Sequence, residues 1–236
     1  MKFVPYESRI KAGEILADFI LENDTTRYNR INKKPDSFIS FAIPNGGVPV
    51  VEGFCRKLKI NYDLIIVRKI KIPYNTEAGF GSVTPDGTVL INNDLLYQLN
   101  LSEKQVENAI EITKKEIKER LVFYKKNFDL EETYQNLIKN KIVFMIDDGL
   151  ASGFTMLAAI KMVKKYDPKE IVISVPTAPL HTIQRIQNAE VKTFCPNIRN
   201  TRWFAVADAY KHWYDIPEIE VINYLNKSNF YINNFD

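Results

Sequence analysis

Two adjacent acids, Asp147 and Asp148, stand directly after a run of five apolar residues, Ile142–Ile146. Such a run is typical of a buried strand, so the acids come at its carboxyl end. Neighbouring carboxylates repel each other, and a cation or a hydroxyl-rich ligand would offset that repulsion. The 2′,3′-diol of a ribose is a ligand of this kind. The alternative is that both acids are simply solvated.

Small residues follow the acids and lead into a helical pattern. They are Ala151, Ser152, Gly153, Phe154 and Thr155. Free backbone N–H groups and the helix dipole favour an anion at such a helix start, by about 0.3–1 kcal/mol at exposed sites. The arrangement suits a phosphate next to a ribose. The alternative is that Ser152 only caps the helix.

Short apolar runs alternate with amphipathic patterns along the chain. The predicted strands cover residues 38–43, 64–67, 142–146, 171–175 and 191–194, and the predicted helices cover residues 8–21, 48–58, 154–165 and 180–188. This alternation predicts an α/β fold with a doubly wound parallel sheet, completed by a small C-terminal or hood region. Ligands of such sheets bind beyond the carboxyl ends of the strands, which is where the acids stand.

Two more elements are expected outside the sheet. The turn signal "TPDG" lies between apolar residues 80–83 and 88–91 and predicts a small hairpin. Residues 102–126 carry the longest helical pattern, and Ser102 with Gln105 three positions later matches a capping box.

Composition narrows the class of protein. The 236 residues carry a net charge of +3 with acids and bases interspersed, so no basic face for nucleic acid is indicated. Cys55 and Cys195 are isolated, and only His181 and His212 could join them, so neither a disulfide framework nor a zinc site is expected. No apolar leader and no stretch of about 18 apolar residues is visible, so we expect a cytoplasmic protein without a membrane partner.

The acids and the loop after them, "VFMIDDGLASGFT", resemble the phosphoribosyl-pyrophosphate (PRPP) signature of the type I phosphoribosyltransferases. The resemblance extends to a bacterial and archaeal group of mostly unassigned substrate. It includes "FAIPNGGVPVVEGF", "LIIVRKIKIPYNTEAGFGSV", "VPTAP" and "FAVADAYKHWYDI", in matching order, over roughly residues 5 to 216. It implies one phosphoribosyltransferase domain over residues 1–236, with a mobile loop at about 69–88 and a C-terminal aromatic region at about 196–236.

The resemblance also implies roles for single residues. Asp147 and Asp148 would bind the ribose hydroxyls, and Ala151, Ser152, Gly153, Phe154 and Thr155 the 5′-phosphate. Asn45, Gly46 and Gly47 would form the pyrophosphate loop, although taken alone the two glycines could be an ordinary turn. Family members often carry Arg at position 45. Arg68 and Lys69 could supply that charge instead, or could be solvated bases.

The implied reaction is a Mg²⁺-dependent transfer of the 5-phosphoribosyl group from PRPP to a nucleobase, with release of pyrophosphate, as in nucleotide salvage. Mg²⁺ would be held by substrate oxygens and by Asp147. Ala151 stands where hypoxanthine and guanine enzymes usually carry an acid, so those bases are disfavoured while purines as a class stay slightly favoured.

Three further assignments follow from the resemblance. Glu77 would approach the leaving group as a catalytic loop residue, or would be an exposed loop acid. Trp203, Phe204 and Asp208 would contact the base, although aromatic residues at such spacing are often core. The protein would be a homodimer.

The competing interpretation is a regulatory protein that binds PRPP or a nucleotide without catalysis. A dinucleotide-binding domain is not indicated, because the sequence has no GxGxxG motif after its first predicted strand.

Overall fold

Strands and helices alternate along the chain. The computed structural model describes residues 3–126 and 129–232, without the side chain of Thr76. In chain order the elements are α1 (Arg9–Asn23), α2 (Thr25–Lys33), β1 (Phe38–Ala42), α3 (Gly47–Leu58), β2 (Tyr62–Leu64), β3 (Arg68–Ile72), β4 (Asn75–Val83), β5 (Val89–Ile91), α4 (Asn93–Leu99), α5 (Glu103–Phe123), α6 (Leu130–Ile138), β6 (Ile142–Ile146), α7 (Phe154–Val163), β7 (Glu170–Ser174), β8 (Thr177–Pro179), α8 (Leu180–Gln187), β9 (Lys192–Phe194), β10 (Asn197–Arg199) and α9 (Glu218–Lys227).

The central sheet is parallel and has the strand order β2-β1-β6-β7-β9. Side chains of β6 point alternately to two separate apolar clusters: Phe144 packs with Phe54 of α3, whereas Met145 packs with Met162 of α7. All five residues of β6 are buried because helices cover both faces. The predicted doubly wound α/β fold is therefore confirmed.

Most of the predicted elements are present, with small shifts at their ends. Helix α5 begins where the capping box predicts: the Ser102 hydroxyl accepts from Gln105 N at 3.3 Å, and Gln105 accepts from Ser102 N at 2.9 Å. The helix stops at Phe123 instead of residue 126. Helices α2, α4, α6 and α9 were not predicted, because they are short and few or none of their residues are buried.

The prediction of a strand over residues 64–67 is wrong. The paired strand is β2, Tyr62–Leu64. Ile65 N still donates to the Ala42 carbonyl oxygen of β1 at 3.0 Å, but Ile66 and Val67 lie beyond the ladder although all three residues are buried. Their apolar side chains fill the two core clusters instead of continuing the sheet. An apolar run alone does not separate these two situations.

A second, antiparallel sheet with the order β3-β4-β5 occupies the region predicted as a mobile loop at 69–88. The expected hairpin is confirmed, and β4 begins earlier than predicted, at Asn75. Its β4–β5 turn is tied to the end of α7, since Lys165 Nζ pairs with Asp86 at 2.8 Å. The segment thus has regular structure that is anchored at one end.

The C-terminal region returns to the start of the chain and to the edge of the sheet. Tyr6 and Tyr210 form a parallel bridge, as do Tyr62 and Tyr231, so residues near 231 lie along β2. Residues 233–236 of the predicted aromatic region lie outside the described residues. No helix within the described part of the chain is long and apolar enough to span a membrane.

Breaking the buried ion pair between Asp63 and Lys126 should destabilise this fold. Their side chains are 1% and 6% exposed. In Asp63→Asn the Lys126 ammonium stays buried without a counter-charge, so we expect the free energy of unfolding to fall by about 3 kcal/mol in urea denaturation.

The matched control is Glu119→Gln, which removes an exposed pair with Lys115 at 3.9 Å. Its effect should stay within about 0.5 kcal/mol. Equal effects of the two substitutions would contradict a stabilising role for the buried pair.

Candidate functional site

Two loops meet at the carboxyl edge of the sheet because β1 and β6 are adjacent and parallel. Ala42 is paired with Ile146, so the segments that follow both strands leave the sheet at the same level. One carries Asn45, Gly46 and Gly47 and the other carries the acids. The structure therefore brings together two segments that are about a hundred residues apart in the sequence.

The first loop touches the acid pair closely. A Cβ atom on Gly46 would lie 1.9 Å from Asp148 Oδ2, and one on Gly47 would lie 2.8 Å from the Ile146 carbonyl oxygen. Any larger residue would push the loop away from the carboxylates. Gly46 is thus required by contact with Asp148 and Gly47 by contact with the end of β6, and not only by a turn.

The two acids differ in their surroundings. Asp147 Oδ1 accepts a hydrogen bond from Asp148 N at 2.8 Å. Burial, together with the negative charge of Asp148, raises the pKa of Asp147 well above its usual value. Burial also raises the pKa of Asp148, but the charge of Arg9 opposes that rise. Arg9 thus opposes the rise for Asp148, to which it is bonded, whereas the charge of Asp148 adds to the rise for Asp147.

Arg9, at the first position of α1, provides the cation that the acid pair needs. Its Nε donates to Asp148 Oδ2 at 2.8 Å, and its side chain is 6% exposed. Sequence reasoning missed this residue, because 139 positions separate it from Asp148. No motif or spacing in the sequence links the two.

Aromatic residues near the C-terminus hold Arg9 in place. The guanidinium lies 4.1 Å from the ring centroid of Trp213, 5.4 Å from that of Tyr210 and 5.7 Å from that of Tyr214. The Tyr210 hydroxyl also donates to the Asp148 carbonyl oxygen at 2.6 Å. This part of the C-terminal aromatic region therefore supports the acids from behind.

A cavity of about 410 Å³ opens in front of Asp147, between the second loop and the β3–β5 sheet, and Asp148 and residues 45–47 lie outside its lining. It is lined by Lys69, Gly79, Gly81, Ser82, Asn92, Leu95, Asp147, Gly149, Leu150, Ala151, Ser152, Gly153, Phe154, Thr155, Met156, Arg185 and Val206. Ser82 contributes a buried hydroxyl that lacks a hydrogen-bond partner among the described residues. Arg185 of α8 is a second cation that sequence reasoning missed.

The three residues predicted to contact a base are placed elsewhere. Trp203 is 83% exposed, Asp208 is exposed and Phe204 is half-buried. The cavity wall on that side is formed by Val206 instead. The aromatic character of this segment gave no information about which of its residues faces the cavity.

The predicted phosphate loop lines the cavity along its whole length, residues 151–155. Gly153 has a φ of +79° and immediately precedes α7, so the N-terminus of this helix opens into the cavity. Ser152 contributes little as a cap, since its Oγ is 3.5 Å from Phe154 N. The backbone N–H groups here can meet an anion.

Asn45 is held firmly by neighbouring elements. Its Oδ1 accepts from Arg120 Nη1 at 2.9 Å and from the Tyr124 hydroxyl at 3.2 Å, and its Nδ2 donates to the Ile216 carbonyl oxygen at 2.7 Å. A cation therefore does lie beside position 45, although it comes from α5. Arg120 is also paired with Glu218 at 2.8 Å.

The three charged residues predicted for the site from β3 and β4 have different surroundings. Arg68 pairs with Glu116 at 3.2 Å and does not line the cavity. Lys69 does line it, and its Nζ donates to the Glu77 carbonyl oxygen at 2.7 Å. The Glu77 side chain is exposed and lies outside the lining.

Asp147 is the acid among the lining residues that could bind a metal ion. No group of three or more His, Cys, Asp or Glu side chains within residues 3–126 and 129–232 is arranged to hold one. Mg²⁺ commonly takes one or two carboxylates and completes its shell with water and substrate oxygens. A cation near Asp147 would also relieve the repulsion from Asp148, so the residues present fit Mg²⁺.

Comparison with known proteins identifies a family that matches this chain. A family model described as a phosphoribosyl transferase domain matches residues 9–213. Two curated Mycobacterium tuberculosis proteins, from strains CDC 1551 / Oshkosh and H37Rv, are named "Putative phosphoribosyl transferase"; each is 24% identical over 191 residues, which is 81% of this chain and 42% of the relative. The chain thus spans less than half of the length of these relatives.

One solved structure has a similar fold over nearly the whole chain. It is the crystal structure of TT1426 from Thermus thermophilus, with a TM-score of 0.67 and 22% identity, and the match covers 94% of this chain and 98% of that one.

The raised pKa of Asp147 leads to a prediction for stability. The folded state holds the Asp147 proton to a higher pH than the unfolded state, so the free energy of unfolding falls as the pH rises from about 4. Asp147→Asn removes this loss and keeps the side-chain oxygen that accepts from Asp148 N. We expect it to raise the free energy of unfolding at pH 7 by about 0.5–2 kcal/mol.

Urea denaturation at several pH values would measure this effect, with the exposed Asp36→Asn as the control. The Asp147→Asn variant should show a flatter dependence on pH than either the wild type or the control. If the free energy of unfolding depends on pH as steeply in Asp147→Asn as in the wild type, the folded structure does not raise the pKa of Asp147.

Proposed function

The chain belongs to the phosphoribosyltransferase family, and we propose that it transfers the 5-phosphoribosyl group of PRPP to a nucleobase and releases pyrophosphate. The observation that carries the proposal is the contact of Gly46 with Asp148 beside the cavity. The contact puts the candidate pyrophosphate loop against the acid pair, and the cavity lined by Asp147 and by the start of α7 opens beside it. A ligand with a pyrophosphate, a diol and a phosphate matches that order of groups.

The substrate would lie across the carboxyl edge of the sheet. Its 5′-phosphate meets the N–H groups of residues 151–155, and its ribose hydroxyls meet Asp147 and Asp148. Its pyrophosphate lies along Asn45, Gly46 and Gly47, where Arg120 stands beside the loop. Lys69 of β3 is the lining cation on the opposite wall.

In the reaction a nitrogen of the base bonds to C1 of the ribose while the bond from C1 to the pyrophosphate oxygen breaks, and the proton that the base loses passes to the released pyrophosphate or to water. Positive charge develops on the sugar and negative charge on the leaving group. Asp147 and Asp148 hold the sugar and stabilise its positive charge, and fixed donors stabilise the phosphates. Arg9 keeps Asp148 in place without touching the cavity lining.

Mg²⁺ fits this arrangement as a cofactor, with Asp147 as its protein ligand. When bound, it would neutralise charge on the pyrophosphate and orient it against the ribose hydroxyls.

The acceptor is proposed to be a nucleobase other than hypoxanthine or guanine, with purines slightly favoured. Ala151, in the cavity wall, cannot serve as the acid that those two bases require. Leu95 and Val206 offer apolar faces, whereas the Ser82 hydroxyl and the Asn92 amide are polar groups of the same wall. A flat base with a polar edge suits such a lining.

Glu77 is proposed to reach the leaving group when the hairpin closes. The β4–β5 turn is anchored by Asp86 and Lys165, so the opposite, exposed end with Glu77 is the one that can move over the cavity. Closure would exclude water from the cationic transition state.

A regulatory protein that binds PRPP without turnover is the second candidate. The observation that favours it is the side chain of Asn45, which makes hydrogen bonds to α5 and to the Ile216 carbonyl group and carries no charge.

The first experiment measures pyrophosphate release from PRPP and Mg²⁺ with adenine, xanthine, guanine, hypoxanthine, uracil or orotate offered separately. We expect release that depends on the base and is highest with adenine. Asp147→Asn/Asp148→Asn should lower it by about 100-fold or more, because it removes the charge that stabilises the transition state.

Asp36→Asn, which changes an exposed acid outside the cavity lining, serves as the matched control and should leave the rate unchanged. Tight PRPP binding without release for any base would favour the regulatory protein. Absence of both turnover and binding would overturn the assignment of residues 147–155.

A second substitution tests the hairpin. Glu77→Gln should lower kcat by about tenfold while the KM for PRPP stays within twofold, because the residue acts only after closure. Steady-state kinetics with the accepted base would measure this, and Glu131→Gln is the control on the exposed side of α6. If Glu77→Gln matches the control, Glu77 is a solvated acid.

A further inference from the structure

Helix α8 is hydrogen-bonded to the loop at residues 151–155 through two side chains that are one helical turn apart. The Thr182 hydroxyl donates to the Ala151 carbonyl oxygen at 2.6 Å. Arg185 Nη1 donates to the Ser152 carbonyl oxygen at 2.7 Å. Positions 182 and 185 lie on one face of the helix, so α8 holds two successive carbonyl groups of the loop.

Fixing these carbonyl groups also fixes the N–H groups that follow them. A peptide bond is planar and trans, so the N–H of the next residue points away from the carbonyl oxygen. With the Ala151 and Ser152 oxygens turned to α8, the N–H groups of Ser152 and Gly153 point to the opposite side of the loop. Both residues line the cavity, which is where an anion would meet those N–H groups.

The loop packs closely against α8 at Gly153, where a side chain would not fit. Gly153 has a φ of +79°, and a Cβ atom there would lie 2.8 Å from Thr182 Cγ2. Thr182 is fully buried, so its hydroxyl has no competing contact with water. Two hydrogen bonds and this close contact therefore connect the loop to α8.

Arg185 can act on the anion as well as on the loop. It lines the cavity while it donates to Ser152. Among the described residues no carboxylate forms an ion pair with it, and its guanidinium lies 5.4 Å from the ring centroid of Phe154. Its charge is thus available to a phosphate placed on the loop.

We propose that Thr182 and Arg185 are positioning residues for phosphate recognition, which together aim the N–H groups of Ser152 and Gly153 into the cavity. Arg185 adds the side-chain cation of that subsite. The ligand is the phosphate monoester end of the substrate and of the nucleotide product. This inference rests on the proposed function, which places the 5′-phosphate in this loop.

Calorimetric titration with ribose 5-phosphate tests the proposal without any need for turnover. Thr182→Val keeps the side-chain volume and loses the hydroxyl, so the Kd should rise by about fivefold. Arg185→Gln loses both a hydrogen bond and a charge, so the Kd should rise by about tenfold or more. Thr182→Ser restores the hydroxyl and should bind like the wild type.

Two matched controls separate positioning from general destabilisation. The Thr133 hydroxyl donates to the Asp129 carbonyl oxygen at 2.7 Å on α6, away from the cavity lining, so Thr133→Val repeats the same chemical change elsewhere. Arg202 is exposed and outside the lining, so Arg202→Gln repeats the loss of charge. Both controls should keep the wild-type Kd.

A kinetic readout distinguishes positioning from a loss of folded protein. In Thr182→Val and Arg185→Gln the KM for PRPP should rise by the same factors as the Kd, with kcat within twofold, because the acid pair is untouched. A fall in kcat at unchanged KM would overturn the proposal.

The failure of this inference and the failure of the proposed function look different. Wild-type affinity for ribose 5-phosphate in both variants would overturn the role of α8 and leave the proposed function standing. No binding of ribose 5-phosphate by the wild type would overturn both.

Discussion

The repulsion between Asp147 and Asp148 at the end of a buried strand is the constraint on which much of the site depends. Burial raises the pKa of both carboxyl groups, so some other charge must keep the pair usable as an anion. Arg9 supplies that charge from the first position of α1, 2.8 Å from Asp148. Arg9 is itself buried, and the rings of Trp213 and Tyr210 lie against its guanidinium. One electrostatic requirement therefore connects the start of the chain, the middle strand and the C-terminal region.

The parallel sheet makes the rest of the arrangement possible. Register between β1 and β6 brings the Gly46 loop against Asp148, and the absence of a Cβ atom lets the two touch. On the other side of the acids, α8 approaches the loop before α7 closely enough that Gly153 is required there too. Glycines thus stand where the two loops meet the side chains of Asp148 and Thr182. Close contact explains the glycine at position 46, whereas close contact and a φ of +79° together explain the glycine at position 153.

The aromatic segment at residues 203–216 shows how a composition can suggest the wrong neighbour. Flat rings near a nucleotide site suggest stacking on a base, and Trp203 and Phe204 were predicted to do so. In the structure the rings of Tyr210, Trp213 and Tyr214 surround a guanidinium instead, and Trp203 is in solvent. Both uses depend on the same face of an aromatic ring, so sequence alone does not separate them.

By itself, the sequence determined the features that depend on residues close to each other in the chain. The acid pair after a five-residue apolar run, the small residues before α7, the "TPDG" hairpin and the capping box of α5 are all local, and each is where its pattern predicts. Only the tertiary structure decided which distant side chains serve the site. Arg9 is 139 positions from Asp148, Thr182 is 31 from Ala151 and Arg185 is 33 from Ser152. The physical reason is that a hydrogen bond or an ion pair depends on separation in space, and no periodicity in the chain encodes that separation between elements on different sides of a sheet.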